Sequence, residues 1–265
     1  LNRRDLCGMA NSIKADPLFE GHSSTATETN GAEDSGMCAS SFLSLAQADS
    51  KGPQQAPGDQ VQSSTPNTTH RVIEPSVLYF GNPVGVVSSL NEAGTSNLAP
   101  ISSFWALDNL LVIGLGSDGH TVANLRRNPE LVLNLANGET WQTVEKLGGM
   151  TGADPVPTSK RKGSRFIANK FEAVGWHPLP SDTVAPQRAA ELPVHLEAKV
   201  TSIHDEPDGL SIVYARCSRV YAADELTVPH TSHVNPERWS PLVYNFRHYF
   251  GLGERLGIAG HAEVS

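Results

Sequence analysis

The chain has 265 residues and a formal net charge of −8. That is enough for one large domain or two small ones, and it leaves no overall basic footprint for nucleic acid. No apolar run approaches the ~20 residues that cross a bilayer, and Cys7, Cys38 and Cys217 form neither a disulfide framework nor a zinc spacing. With no charged start followed by an apolar signal core, the expectation is a soluble, cytoplasmic protein without nucleic-acid or membrane partners.

Residues 1–70 are dense in Ser, Thr, Gln, Gly and Pro, and only Phe19 and Phe42 are aromatic there. Such a segment buries too little apolar surface to offset the entropy of ordering it, so it reads as a disordered tail. A short helix around "CASSFLSLAQAD" is the one element it suggests, and Asn67 opens a glycosylation sequon with no secretory signal to give it meaning. From residue 71 onward the chain changes to short apolar runs between turn residues, and the folded domain is expected over 71–265.

"VLYFGNPVGVVSSL" followed by "NEAG" reads as a strand entering a hairpin turn, and "NLLVIGLG" as a second buried strand. "HTVANLRRN" carries a short helical pattern limited by Pro129, and "ELVLNLA" is a third strand. Trp141, Val144 and Leu147 have helical spacing, and helical character returns near "RFIANKFEAVG". "PVHLEAKVTSIHD" and "LSIVYARCSRVYA" are strands joined by a turn at Asp208–Gly209. The aromatic-rich "PERWSPLVYNFRHYFGLGERLG" follows. Hairpin-linked strands with few helices predict a mainly β fold, a barrel with peripheral helices.

"GLGSDG", Gly114–Gly119, matches a dinucleotide-binding pattern, with Glu139 roughly twenty residues further on. The helix after it is too short to run back along a strand, and no alternating βαβ units surround it. It reads better as a turn into a helix start at His120–Thr121, where free amides and the helix dipole favour a phosphate. "GTSNLAPISSFWALDN", Gly94–Asn109, is too polar for a core strand and too apolar for a solvated loop. Pro100 keeps its neighbour extended and leaves amides outside a ladder. His230 and His233 lack a third ligand at metal spacing, so no metal site is expected. "SKRKGSR", Ser159–Arg165, is a basic cluster that reads as solvated surface or as an attractor for a nucleotide phosphate. No catalytic triad, nucleophilic cysteine motif or Walker lysine is present, and no catalytic residue is named.

"PVGVVSSLNEAGTSNLAPISSFWALDNLLVIGLGSDGHTVANLRRNPELVLNLA", together with "TGADPVP", "NKFEAVGWHPLPSDTVAPQRAAELPVHLEAKV" and "PLVYNFRHYFGLGE", resembles the flavin reductase-like family of FMN-binding split β-barrels. The resemblance spans residues 72–253 and none of the tail. It implies FMN as cofactor, NADH or NADPH as hydride donor, a homodimer, and a partner oxygenase as one destination for the electrons. It also implies that Asn97, Leu98, Ala99, Pro100, Ser102 and Ser103 run beside the flavin ring. His120, Thr121 and Asn124 match the phosphate-binding turn, and Arg247 lies in a C-terminal region near the flavin. His120 departs from the Lys or Arg common at its position, with Arg126, Arg127 or a partner-chain residue as candidates to compensate. Phe104 and Trp105 wall the ring or pack the core. The rival readings are a non-catalytic FMN- or haem-binding split barrel, acting as sensor, store or electron carrier, and a ligand-free interaction module.

Overall fold

A computed structural model describes residues 69–258; the expected helix near "CASSFLSLAQAD", Asn67 and the rest of the predicted tail before Thr69 lie outside the described residues. In chain order the strands and helices are β1 (Phe80–Pro83), β2 (Gly85–Leu90), β3 (Ser96–Ile101), β4 (Phe104–Leu107), β5 (Leu110–Gly116), α1 (His120–Arg127), β6 (Glu130–Leu135) and α2 (Trp141–Gly148). They continue with β7 (Met150–Thr151), β8 (Arg165–Phe166), α3 (Lys170–Val174), β9 (Pro178–Leu179), β10 (Arg188–Ala189), β11 (Val194–Glu206), β12 (Leu210–Ala222), β13 (Val243–Asn245) and β14 (His248–Phe250). The fold is mainly β with few helices, as the alternation of apolar runs and turns predicts.

Seven strands form one sheet in the order β3-β2-β6-β11-β12-β5-β4. Its two edges, β3 and β4, are consecutive in the chain and separated only by Ser102 and Ser103. Two linking residues hold the neighbouring strand ends within roughly 10 Å of each other, so the sheet must curl until its edges meet. This is a split β-barrel, and the polar stretch after Gly94 lies along its seam. The Ser103 hydroxyl donates to the Gly114 carbonyl and the Gly114 amide donates to the Ser103 carbonyl, both at 2.7 Å. Those two bonds hold the seam against β5. Pro100, with no amide to donate, stands where strand prolines are tolerated, on an edge.

The long β11–β12 hairpin has ladder irregularities at Glu197/Ala198 and Val200/Ser202. Such bulges bend and twist a strand. Its turn uses Gly209 at φ +78°, a conformation that costs glycine little. Strand β2 is buried on both faces from Gly85 to Ser89, which is why "VGVVSS" reads as a continuous run rather than an alternation. Val87 faces a core with Ile113, Leu125 and Leu133, while Val86 faces another with Leu98, Leu147 and Trp176.

Two expectations about elements need correction, and a third is met. "VLYFGNPVGVVSSL" is not one strand: the ladder is irregular between Phe80 and Asn82, and β1 leaves the barrel to pair with β13, beside β14. The helix near "RFIANKFEAVG" shrinks to Lys170–Val174, because Arg165 and Phe166 pair with β7. Asn169 caps it, accepting from the Glu172 amide at 3.3 Å, and donates to the Glu172 carboxylate at 3.1 Å. "GLGSDG" ends an antiparallel strand and turns into α1, as its reading as a turn expects, with the Gly119 amide on the Gly116 carbonyl at 2.9 Å. No parallel crossover exists at that point.

Beneath the barrel wall, the buried Asn134 amide donates to the Val86 carbonyl at 2.8 Å and to the Ser88 hydroxyl at 3.0 Å. Its oxygen accepts from the Ala189 amide at 3.0 Å and from His195 Nδ1 at 2.9 Å. Burial and the nearby Arg188 hold His195 down to about 4, so it is neutral in the fold at neutral pH. Asn134→Leu leaves several buried groups unpaired and is expected to cost about 2–4 kcal/mol, read from a lower urea midpoint.

Candidate functional site

A cavity of about 860 Å³ opens between the β3 edge, the start of α1, the loop after α2 and the β13–β14 hairpin. Of the residues singled out in the sequence, Asn97, Ala99, Pro100, Ser102, Ser103, His120, Thr121 and Arg247 line it. Segments more than a hundred residues apart in the chain therefore converge on one space. Leu98 and Asn124 stand elsewhere. Alternation along β3 turns the Leu98 side chain away into the core with Leu147 and Trp176. Asn124 lies on the inner face of α1, where its amide donates to the Ser89 hydroxyl and to Asn91 Oδ1, both at 3.1 Å. It pins the helix to the β2–β3 hairpin.

Helix α1 begins after Gly119, which offers no side-chain cap, so its first amides and positive dipole end face the cavity without a covering group. Thr121 sits buried in this first turn. Asn91 decides the state of His120. The Asn91 amide nitrogen donates to Thr95 Oγ1 at 3.0 Å, so its oxygen is the group facing His120 Nε2 at 2.8 Å. That nitrogen must carry the hydrogen, leaving Nδ1 bare in the neutral ring. Burial first, then the charges of Lys170, Arg127 and Lys160, lower the His120 pKa. His120 is thus a neutral donor at neutral pH, not a cation.

Besides His120 and Arg247, the basic side chains on the cavity wall are Lys170, which sequence reasoning did not select, and Lys160, from the basic cluster read as solvated surface or as an attractor for a nucleotide phosphate. Lys170 lines the cavity yet is only 3% exposed, and its Nζ donates to the Leu98 carbonyl at 2.7 Å. Burial, helped by the neighbouring Lys160, pulls it down from 10.5 to about 7. Lys160 and its neighbours Thr158 and Ser159 line the same space, so part of the basic cluster serves the cavity. Arg161 instead pairs with Glu145 at 3.3 Å. Arg126 is spent on an exposed pair with Asp205 at 2.6 Å, and Arg127 donates to the Leu90 carbonyl and Asn124 Oδ1 at 2.8 and 2.9 Å. Both lie in the last turn of α1, which removes them as contacts for an anion at its start.

Asn97 is 2% exposed, and its Nδ2 has no partner among the described residues. A buried donor left unpaired costs stability, and this one belongs to a residue that lines the cavity. Gly152 makes the wall possible. A Cβ there would stand 2.7 Å from His120 Nε2 and 2.8 Å from Asn97 Oδ1. Among the described residues no group of three His, Cys, Asp or Glu side chains could hold a metal ion, and His230 and His233 lie exposed in a loop.

The barrel seam, the start of α1 and the two lysines thus share one polar cavity. The chain belongs to the family described by the flavin reductase like domain, whose model matches residues 77–253. It is similar to the uncharacterized protein YdfE of Bacillus subtilis (strain 168), at 38% identity over 72% of this chain and 94% of that one. Among solved structures, flavoredoxin of Desulfovibrio vulgaris (Miyazaki F) superposes with a TM-score of 0.62 at 14% identity, over 73% of this chain and 99% of that one. Nitrilotriacetate monooxygenase component B from Bacillus cereus superposes with a TM-score of 0.57 at 16% identity, covering 72% and 100%. At those identities the two structures speak for the fold.

Proposed function

We propose that this protein is an FMN-binding oxidoreductase of the flavin reductase type, taking a hydride from NADH or NADPH. The observation that carries this reading is the convergence, in one cavity, of the unpaired Asn97 amide, the uncapped start of α1 and the Lys160–Lys170 pair. These residues fit FMN. Asn97 and Ser102 offer donors to the polar edge of the ring, and Ala99 and Pro100 give it an apolar flank. Thr121 and the first amides of α1 suit a phosphate. Arg247 reaches the cavity from a hairpin tip where Phe246 and Arg247 both take positive φ, 45° and 69°. Such backbone strain collects at functional sites.

Bound there, the flavin supplies the redox chemistry, accepting a hydride at N5 and passing electrons on. This chain's residues bind it, orient one face toward the opening and hold water away from the buried wall. No general acid or base is required of them, consistent with the lack of a triad.

The expected assembly is a homodimer. Trp105 and Leu107, 53% and 66% exposed on edge strand β4, form an apolar strip that a second copy would cover. A partner oxygenase fits as acceptor, and component B of a monooxygenase shares this fold.

The purified protein should show the two near-ultraviolet and blue absorbance bands of a flavin, and these should bleach when NADH or NADPH is mixed anaerobically. A colourless protein that leaves FMN fluorescence unquenched sinks the reading. Thr121→Val should weaken FMN about tenfold, the worth of one hydrogen bond to a charged group, with an unchanged melting curve. Equal affinity would remove Thr121 from the phosphate seat.

A further inference from the structure

Lys170 is the least expected charge in this molecule. Its Nζ is buried and has one protein acceptor, the Leu98 carbonyl. An ammonium can donate three hydrogen bonds, and a buried charge without a counter-ion is strongly disfavoured. No carboxylate answers it from the elements packed around it. On α3 itself Glu172 is exposed and bonded by Asn169. On α2, Glu145 takes Arg161 and the Tyr249 hydroxyl, while Lys146 donates to the Ala173 carbonyl. Strand β3 carries no ionisable side chain. Facing Lys170 instead are Lys160 and His120, both on the cavity wall. His120 cannot accept through Nε2, which is committed to Asn91.

Lys160 and Lys170 therefore share a cavity whose lining also includes Asp118 and Asp208, and among the described residues neither carboxylate pairs with Lys170. We infer that Lys170, Lys160 and the start of α1 form a seat for a phosphate monoester, and that Lys170 takes up a proton from solvent as the anion enters. The balance is one proton added to a neutral amine, giving the ammonium that pairs with the phosphate oxygens. Burial, helped by Lys160 at the same wall, favours the neutral Lys170 amine when the seat is empty. A dianion reverses the sign of the local field and restores the charge. His120 positions the helix start through its bond to Asn91. The identity of the phosphate bearer as FMN rests on the flavin reading above; the seat itself does not.

Isothermal calorimetry at pH 8 in two buffers of different ionisation enthalpy counts the protons. FMN should bind with uptake approaching one proton, riboflavin with none and more weakly. The uptake should fall as pH is lowered toward 7, where Lys170 is already partly protonated. Lys170→Met should bind FMN at least about tenfold more weakly, with no Lys170-linked uptake. Should that variant fail to fold, Lys160→Gln carries the test, with weaker FMN binding and smaller uptake, since Lys170 then keeps more of its proton when free. FMN binding without uptake, uptake that persists in Lys170→Met, or unchanged values in Lys160→Gln each overturn the inference. Inorganic phosphate separates it from the flavin reading. If FMN fails to bind but phosphate binds with Lys170-dependent uptake, the seat stands and the flavin reading falls. If neither binds, both fall.

Discussion

Lys170→Met is expected to raise the melting temperature of the flavin-free protein at pH 6, and to lose that advantage as the pH approaches 10. The sign follows from where the proton sits. Lys170 titrates near 7 in the fold against 10.5 for an ordinary lysine. Between those values the unfolded chain holds more protons than the folded one, so stability climbs with pH across that window. Below pH 7 the folded protein carries the full cost of a buried ammonium. Methionine fills a similar volume without the charge, as when buried ions are replaced by apolar residues. The gain at pH 6 is on the order of 3 kcal/mol, after about 1 kcal/mol is lost with the bond to the Leu98 carbonyl. For a domain of this size that corresponds to a rise of about 6–10 °C. A variant that melts lower than the parent at pH 6, measured by calorimetry without flavin, would show that Lys170 is needed to build the wall rather than to charge it.

Gly152→Ala is expected to damage the site as much as the loss of one of its polar groups. The added methyl would stand within 3 Å of both His120 and Asn97, and neither can retreat freely. His120 is tied to Asn91 at 2.8 Å, and Asn97 sits in strand β3 paired with β2. Overpacking of this kind costs about 1–3 kcal/mol. The larger effect falls on the ligand, because the displaced groups are the unpaired donor and the residue that anchors the helix start. FMN affinity should drop at least tenfold, about 1.4 kcal/mol, with only a modest fall in melting temperature. Fluorescence titration and a thermal melt on the same sample separate the two. An alanine variant that binds FMN as the parent does would show that the wall yields.

Much of the architecture was legible in the sequence because it is a matter of local pattern. Asp208–Gly209 demands a tight turn whatever surrounds it, and the strands on either side are paired by that turn alone. The two-turn helix after Gly119 could not be a crossover, so "GLGSDG" had to be a turn. "GTSNLAPISSFWALDN", too polar for a core strand and too apolar for a solvated loop, stood apart from its neighbours by the same local reasoning. The structure sharpens this into the barrel seam, with Ser102 and Ser103 joining its two edges.

Only the tertiary structure could decide which residues share the cavity and what charge they bring. Alternation along β3 sends Leu98 inward and Asn97 to the cavity, and that register is fixed by pairing with β2 rather than by either residue. Asn124 carries its polar group to the hairpin because the inner face of α1 is buried against β2. "NKFEAVG" shows only helical character in the sequence. Its lysine becomes a buried amine with a lowered pKa only because α3 packs against β3, with Lys160 beside it in the preceding loop. The sequence by itself determined the turns, the strand runs and the family likeness, since these depend on neighbours within a few residues. The site's electrostatics depend on desolvation and on charges brought together from separate segments, and those exist only once the barrel has closed.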